Sequence, residues 1–206
     1  LTGAFAVFAN EGKKLDPASI LKVTDAKGSV LYEFKDIEGT RVMDEGIAFI
    51  VSDMLSDNIA RTPLYGANSG LYFPGKSVAA KTGTTNDAKD AWFAGFNPKQ
   101  VAVVWVGFDK PQSLGGNETG GSAALPIWIK YMATALQNTP EISLPVPDGV
   151  ESHKVNIITG QQASDDEGGI YEYFYSEYPP PEKGSKNSGP KATAAVADPT
   201  ESDKLY

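Results

Sequence analysis

Three segments decide the fold: Ser77-Val78-Ala79-Ala80-Lys81-Thr82, then Ala91-Trp92-Phe93-Ala94-Gly95-Phe96, then the apolar run from Val101 to Phe108. Each is short, rich in β-branched or aromatic residues and bounded by turn formers, which is the pattern of successive strands. Asn97-Pro98-Lys99-Gln100 between the last two has the chemistry of a tight turn, so these two strands are expected to pair antiparallel. Ile127 to Leu136, entered through Pro126, places Ile127, Trp128, Tyr131 and Leu136 where a helix would cover one face of that sheet.

Upstream, residues 2–9 read as a short apolar helix closed by Asn10 and Gly12. Ile20–Thr24 and Ser29–Phe34 read as a hairpin turning at Asp25-Ala26-Lys27-Gly28, where glycine accepts the positive φ of the turn. Between Met43 and Ile59 the residues Ile47, Ile50, Val51, Met54, Leu55 and Ile59 mark one stripe of a helix, with Asp44, Asp53 and Asp57 opposite. A Pro/Gly loop (Pro63, Gly66, Gly70, Pro74, Gly75) leads from this helix to the first strand. The expected class is therefore α+β, an antiparallel sheet flanked by helices.

Beyond residue 138 the character changes. Residues 139–178 read as an extension with one strand near Val155–Ile158, and 179–206 as a flexible tail whose Pro, Gly, Ser, Lys and Ala cannot offset the entropy of ordering. There is no internal repeat.

The chain has 206 residues, 18 Lys and Arg against 26 Asp and Glu for a net charge of −8, 21 glycines, 14 prolines and no cysteine. An acidic balance without a basic cluster argues against nucleic acid as partner. Without cysteine there is no disulfide, thiolate nucleophile or cysteine-ligated zinc. The longest apolar stretch is far short of the roughly 20 residues of a membrane helix. The opening Leu1-Thr2-Gly3-Ala4, with neither initiator methionine nor leader, reads as the interior of a longer protein, so part of the function is expected upstream.

Lys81-Thr82-Gly83-Thr84-Thr85 ends the first strand of the sheet and carries the chemistry. A strand edge offers backbone donors and acceptors to an extended peptide, and a glycine there removes the side chain that would block its approach. An ammonium and hydroxyls at the strand end can hold a carboxylate, and a neighbouring N–H can form one arm of an oxyanion hole. The competing reading is a solvated strand-end lysine followed by threonines chosen for β-propensity.

Four stretches decide between these readings: Ala9-Asn10-Glu11-Gly12; Ile20–Leu31 with its Asp25-x-x-Gly28 turn; Lys81–Gly95; and Gly120-Gly121-Ser122-Ala123-Ala124-Leu125-Pro126-Ile127-Trp128. Over residues 1 to about 160 the chain resembles the C-terminal half of the transpeptidase domain of bifunctional class A penicillin-binding proteins, serine acyl-transferases with Ser-x-x-Lys, Ser-x-Asn and Lys-Thr-Gly motifs.

The resemblance implies the C-terminal part of the penicillin-binding, serine β-lactamase-like fold. It also implies a D,D-transpeptidase that cross-links peptidoglycan stem peptides through a serine acyl-enzyme and is inhibited by β-lactams. Lys81 would assist substrate binding and proton transfer, and the Thr84 N–H would serve as an oxyanion donor. The Thr82 and Thr84 hydroxyls would contact the substrate carboxylate beside Thr85. Gly83 would give clearance, and the loop from Leu114 to Gly121, with Gly120 and Gly121 at its end, would flank the cleft. No cofactor and no metal are implied. The implied partners are stem peptides, β-lactams, the upstream half of the same domain and other cell-wall synthesis proteins. The parent would carry a glycosyltransferase domain and a membrane anchor outside this chain, and would face the periplasm from the bacterial inner membrane.

Two further strings match the other motifs, Ser19-Ile20-Leu21-Lys22 and Ser56-Asp57-Asn58. Ser19 should open a helix to bring Lys22 beside it, but it enters a strand, where residues three apart face opposite sides. Ser56 lies within the amphipathic helix, 37 residues after Ser19 and only 25 before Lys81, closer than the family spacing implies. Both are read as coincidence, which places the nucleophile upstream. The family would also show Gly-Thr-Gly after the long helix, where this chain has Ala60-Arg61-Thr62-Pro63-Leu64-Tyr65-Gly66.

The alternatives are a soluble β-lactamase or D,D-carboxypeptidase, and a non-catalytic peptide-binding scaffold. His153, the only histidine, reads as a solvated strand-edge residue, Asp165-Asp166-Glu167 as a solvated turn, and Gly115-Gly116 lacks what a phosphate loop needs.

Overall fold

The computed structural model describes residues 1–35, 38–61, 78–140 and 142–185, with side chains from 58 to 61 excepted. The loop expected at 62–76, Ser77 and the tail from 186 onward lie outside the described residues. The chain divides into two compact units, Leu1–Val150 and Glu151–Tyr206.

The first unit centres on three antiparallel strands, β5 (Ala79–Thr84), β6 (Asp90–Phe96) and β7 (Val101–Gly107), in the order β5-β6-β7. Thr82 pairs with Phe93, Gly83 with Trp92, and Phe93 with Val104, so the whole register is fixed by the turns at either end. The expected turn at Asn97 forms, with Asn97 Oδ1 accepting from Lys99 N (2.9 Å) and Gln100 N (2.8 Å). Alternation then separates the faces. Ala80, Phe93 and Val104 join Trp128 and Met132 of α3 (Leu125–Ala135) in the main core, where Trp128 is 0% exposed. Trp128 lies 5.1 Å from Phe93 between ring centroids, and its Nε1 donates to Ala102 O at 3.0 Å. Gly95 makes room for it: a Cβ there would lie 2.5 Å from Trp128 Cζ2 and 2.9 Å from Ala80 Cβ.

On the opposite face, α1 (Thr2–Ala9) sets Phe5 and Phe8 each 6.4 Å from Phe96. The helix exits with Gly12 at φ 86° and its N–H on Val7 O (2.8 Å), as expected, but the second left-handed residue is Glu11 (φ 53°) and not Asn10 (φ −113°). A two-residue pairing follows between β1 (Lys13–Lys14) and β4 (Thr40–Arg41), which Arg41 reinforces by donating to Glu11 O at 2.8 Å and pairing with Glu45 at 3.2 Å.

The hairpin of β2 (Lys22–Thr24) and β3 (Val30–Glu33) turns where the sequence requires. Asp25 Oδ1 accepts from both Ser29 N and Lys27 N at 2.8 Å, and Gly28 takes φ 86°. The bond from Ser29, with Lys27 as a further donor, holds the Asp25 carboxyl below its usual range.

Helix α2 (Glu45–Arg61) begins after Asp44, whose Oδ1 accepts from Gly46 N and Ile47 N. Its inward side corrects the expected stripe: Ala48, Phe49 and Ser52 are buried, whereas Ile47 is 46% and Met54 63% exposed. A wide apolar face leaves its inner edge open to choice, and here the side of Ala48, Phe49 and Ser52 packs inward while Ile50, Val51 and Leu55 are half-buried. Ser52 enters that side because its Oγ donates to Ala48 O at 2.7 Å.

The second unit departs further from expectation. Its first strand is β8 (Val150–Val155), so of the strand expected at Val155–Ile158 only Val155 lies in one, and the residues after it form a turn in which Asn156 Oδ1 accepts from Ile158 N and Thr159 N. A second strand, β9 (Ile170–Tyr175), pairs with β8 inside the stretch whose composition marks only an extension. Asn and Gly160 are the signals that stop the first strand early. His153 is not the solvated residue expected: its Nε2 is buried, and its ring meets Phe174 edge-on at 6.0 Å.

Residues 180–185, placed in the tail by composition, are fastened to this unit. Gln162 N donates to Pro181 O (2.8 Å), Gln162 Nε2 to Pro180 O (3.0 Å) and Gln161 Nε2 to Ser185 O (2.8 Å). Lys183 pairs with Glu167, and that bond, with help from Ser164, holds the Glu167 carboxyl at about 2.

Candidate functional site

The end of β5 is built from three directions. β6 supplies the register, the loop from 109 to 119 runs beside the β5–β6 turn, and the turn that opens α3 closes over the strand. A short 3₁₀ turn, Asn86–Ala88, connects β5 to β6, with Asp87 and Ala88 both at positive φ, 60° and 48°. The 109–119 loop is tied to it, since Leu114 N donates to Ala88 O (2.8 Å) and Ser113 Oγ to Asp87 O (2.9 Å).

Thr85 closes this turn. Its N–H donates to Asp90 O (3.1 Å), and its Oγ1 accepts from Asp90 N (2.8 Å) and donates to Asp90 Oδ2 (3.2 Å). Asp90 Oδ1 also accepts from Trp105 Nε1 at 2.8 Å, and Trp105 lies 6.0 Å from Trp92. The Thr85 hydroxyl is therefore spent on the turn.

Alternation in β5 puts Lys81 and Gly83 on one face and Thr82 and Thr84 on the other. Lys81 is exposed, and its Nζ donates to Thr82 O at 2.9 Å, one of its three N–H groups. Thr84 faces the opening of α3. Gly120 N donates to Thr84 Oγ1 at 3.0 Å, joining two segments 36 residues apart.

That contact depends on glycine. A Cβ on Gly120 would lie 2.3 Å from Trp92 O and 2.6 Å from Gly83 O, so Gly120 rests directly on the backbone of the β5–β6 pair. Gly120 and Gly121 begin a five-residue π-turn, Gly120–Ala124, that runs into α3. Thr119 caps it: Thr119 Oγ1 accepts from Ser122 N (3.3 Å), Ser122 Oγ accepts from Thr119 N (2.7 Å), and Ser122 Oγ donates to Asn117 O (2.7 Å).

The structure thus brings Thr84 and Gly120 into contact, places Gly121 in the same turn, seats Lys81 and Gly83 on the reverse face, and engages Thr85 with Asp90. Sequence reading passed over Asp90, Thr119 and Ser122. Thr119 is itself a helix-start signal as an N-cap residue ahead of the apolar run of α3, and Asp90 and Ser122 stand inside the quoted strings.

Two serines matched the other motifs of the family. Ser19 is exposed before β2, and Lys22 Nζ is paired with Glu33 Oε1 at 3.0 Å across the hairpin. Ser56 lies on α2. Among the described residues there is no group of three or more His, Asp or Glu that could hold a metal, and no helix long and apolar enough to cross a membrane.

Comparison with known proteins gives a consistent result. The family model for the penicillin binding protein transpeptidase domain matches residues 1–133. Penicillin-binding protein 1A of Pseudomonas aeruginosa is 33% identical over 231 aligned positions, covering 88% of this chain and 28% of that protein. The crystal structure of penicillin-binding protein 1A from Haemophilus influenzae aligns with TM-score 0.74 and 30% identity, over 85% of this chain and 31% of that one. PonA1 of Mycobacterium tuberculosis in complex with penicillin V aligns with TM-score 0.54 and 27% identity, over 70% of this chain and 39% of that one. This chain spans less than a third of the Pseudomonas and Haemophilus proteins. The antiparallel sheet with its flanking helices is the penicillin-binding transpeptidase fold, and the chain belongs to the penicillin binding protein transpeptidase domain family.

Proposed function

We propose that this chain forms the Lys-Thr-Gly wall of a peptidoglycan D,D-transpeptidase and that the nucleophilic serine, its lysine and the Ser-x-Asn residues lie outside residues 1–206. The observation that carries this reading is the Lys81–Thr84 strand end, flanked by the Gly120–Gly121 turn, in a chain of this family. The engagement of Lys22 with Glu33 and the exposure of Ser19 support looking elsewhere for the nucleophile.

In the proposed reaction the serine Oγ attacks the carbonyl of the penultimate D-alanine, and the oxyanion is held by the Thr84 N–H and a second backbone N–H. Lys81 assists the proton transfers that leave the terminal D-alanine as a free amino acid. An amine of a neighbouring stem peptide then attacks the ester, forming the cross-link and restoring the serine. The Thr82 and Thr84 hydroxyls bind the substrate carboxylate, Gly83 gives room for the peptide, and Gly120 and Gly121 flank it. Thr85, whose hydroxyl is committed to Asp90, acts by shaping the turn. A β-lactam acylates the same serine by ring opening.

The upstream half of the domain would cover the exposed Leu21, Leu31, Ile47 and Met54. The whole protein is read as bifunctional, with a peptidoglycan glycosyltransferase domain and an anchor that holds it at the periplasmic face of the inner membrane beside other cell-wall synthesis proteins. Labelled penicillin tests the assignment. In the full-length protein, Lys81→Ala lowers the acylation rate by about 10²- to 10⁴-fold, the range for a proton-transfer group, and an unchanged rate contradicts the role given to Lys81.

A further inference from the structure

We propose that Gly120 is a positioning residue: by donating its N–H to Thr84 Oγ1 it turns the Thr84 hydroxyl proton toward the cleft, and so makes the site select ligands with a free carboxylate. This rests on the reading of Thr84 given above and assigns the device that orients it.

A hydroxyl carries one proton and two acceptor lone pairs, and the proton rotates to suit its neighbours. The Gly120 N–H, at 3.0 Å, occupies one lone pair of Thr84 Oγ1. The hydroxyl proton is thereby turned away from Gly120 and donated elsewhere. An ionised carboxylate is acceptor-only and forms the stronger, charge-assisted bond with such a donor; an ester oxygen does not.

The donor is itself fixed. Gly120 opens the turn, so its N–H has no partner within the helix and is directed outward. The Thr119–Ser122 box and the bond from Ser122 Oγ to Asn117 O hold the turn on the strand. The approach itself requires a missing side chain, because a Cβ would strike Trp92 O and Gly83 O at 2.3 and 2.6 Å. Both oxygens belong to residues paired across β5 and β6, so they cannot step aside without breaking the register.

The test compares acylation of the full-length protein by benzylpenicillin and by its methyl ester, which differ in the carboxylate alone. Wild type prefers the free acid. Gly120→Ala displaces the amide, lowers acylation by the acid about 10- to 100-fold, as sub-ångström to ångström misplacement does, and changes the ester rate less than about threefold on the same argument. Thr84→Val also collapses the preference, Thr84→Ser keeps it, and Gly120→Ala in the Thr84→Val background causes no further loss of preference. Should Gly120→Ala fail to fold, Ser122→Ala loosens the same turn without adding a side chain, and reduces the preference in the same direction. Equal slowing of acid and ester by Gly120→Ala, or by Ser122→Ala where that variant stands in, would assign Gly120 a structural role only and overturn the proposal. So would an unchanged preference. A wild-type protein that is acylated by neither compound refutes the transpeptidase reading itself, and this inference with it.

Discussion

Gly95→Ala is the sharpest test of the packing that holds the sheet on α3. The added methyl meets Trp128 Cζ2 at 2.5 Å, Trp128 Cε2 at 2.9 Å and Ala80 Cβ at 2.9 Å, all closer than non-bonded carbons tolerate. The indole cannot retreat, because its Nε1 is bound to Ala102 O and its ring is packed on Phe93. Overpacking a rigid core costs about 1–3 kcal/mol, and the absence of any yielding neighbour puts Gly95→Ala near the upper end. Trp128→Phe destabilises alone, through lost volume and the lost bond to Ala102 O, but it removes the two atoms the methyl strikes. The pair should therefore couple favourably by about 1–2 kcal/mol, within the range for residues in direct contact. Urea unfolding of wild type, both single variants and the double variant measures this cycle. A cost below about 0.5 kcal/mol for Gly95→Ala, or additivity within that margin, would refute the reasoning.

Three further outcomes are expected. Asp90→Ala removes the carboxylate that accepts from the Thr85 hydroxyl and from Trp105 Nε1–H, both exposed bonds, costing about 0.5–1.5 kcal/mol and shifting Trp105 emission to the red, while Asp90→Asn retains most of the stability; an unshifted spectrum contradicts the network. Thr119→Val removes the cap of the π-turn and costs about 1 kcal/mol, visible as faster amide exchange at Ser122. Glu167, held at about 2 by Lys183, favours the folded state above its ordinary value of 4.5, and that contribution disappears as the pH falls toward about 2. A carboxyl NMR titration checks this: Lys183→Met returns the midpoint toward 4.5, and a wild-type midpoint already at 4.5 contradicts the pairing.

The sheet was legible because its strands are short apolar runs separated by turn chemistry that only one conformation satisfies. Asp25-x-x-Gly28 and Asn97-Pro98 each form the turn their residues require. Local rules said less where several surfaces compete for one helix: the α2 stripe predicted from Ile47 and Met54 yields to Ala48 and Ser52, because burial is decided by the packed neighbour and not by periodicity. They also misplaced the second unit, since Gln161 and Gln162 capture residues 180–185 through side-chain and backbone bonds that composition does not encode. At the site, Lys81-Thr82-Gly83-Thr84 was visible as a string, but the contact between Thr84 and Gly120 joins segments 36 residues apart and emerges only from the register of β5 against the turn of α3.

The central claim is that residues 81–84 form a wall of an acylation site whose serine lies outside this chain. The most direct measurement is mass mapping of the acylated peptide after the full-length protein reacts with labelled penicillin. The account predicts a single adduct on a serine outside residues 1–206, lost or strongly slowed in Lys81→Ala. An adduct on Ser19 or Ser56 would contradict it.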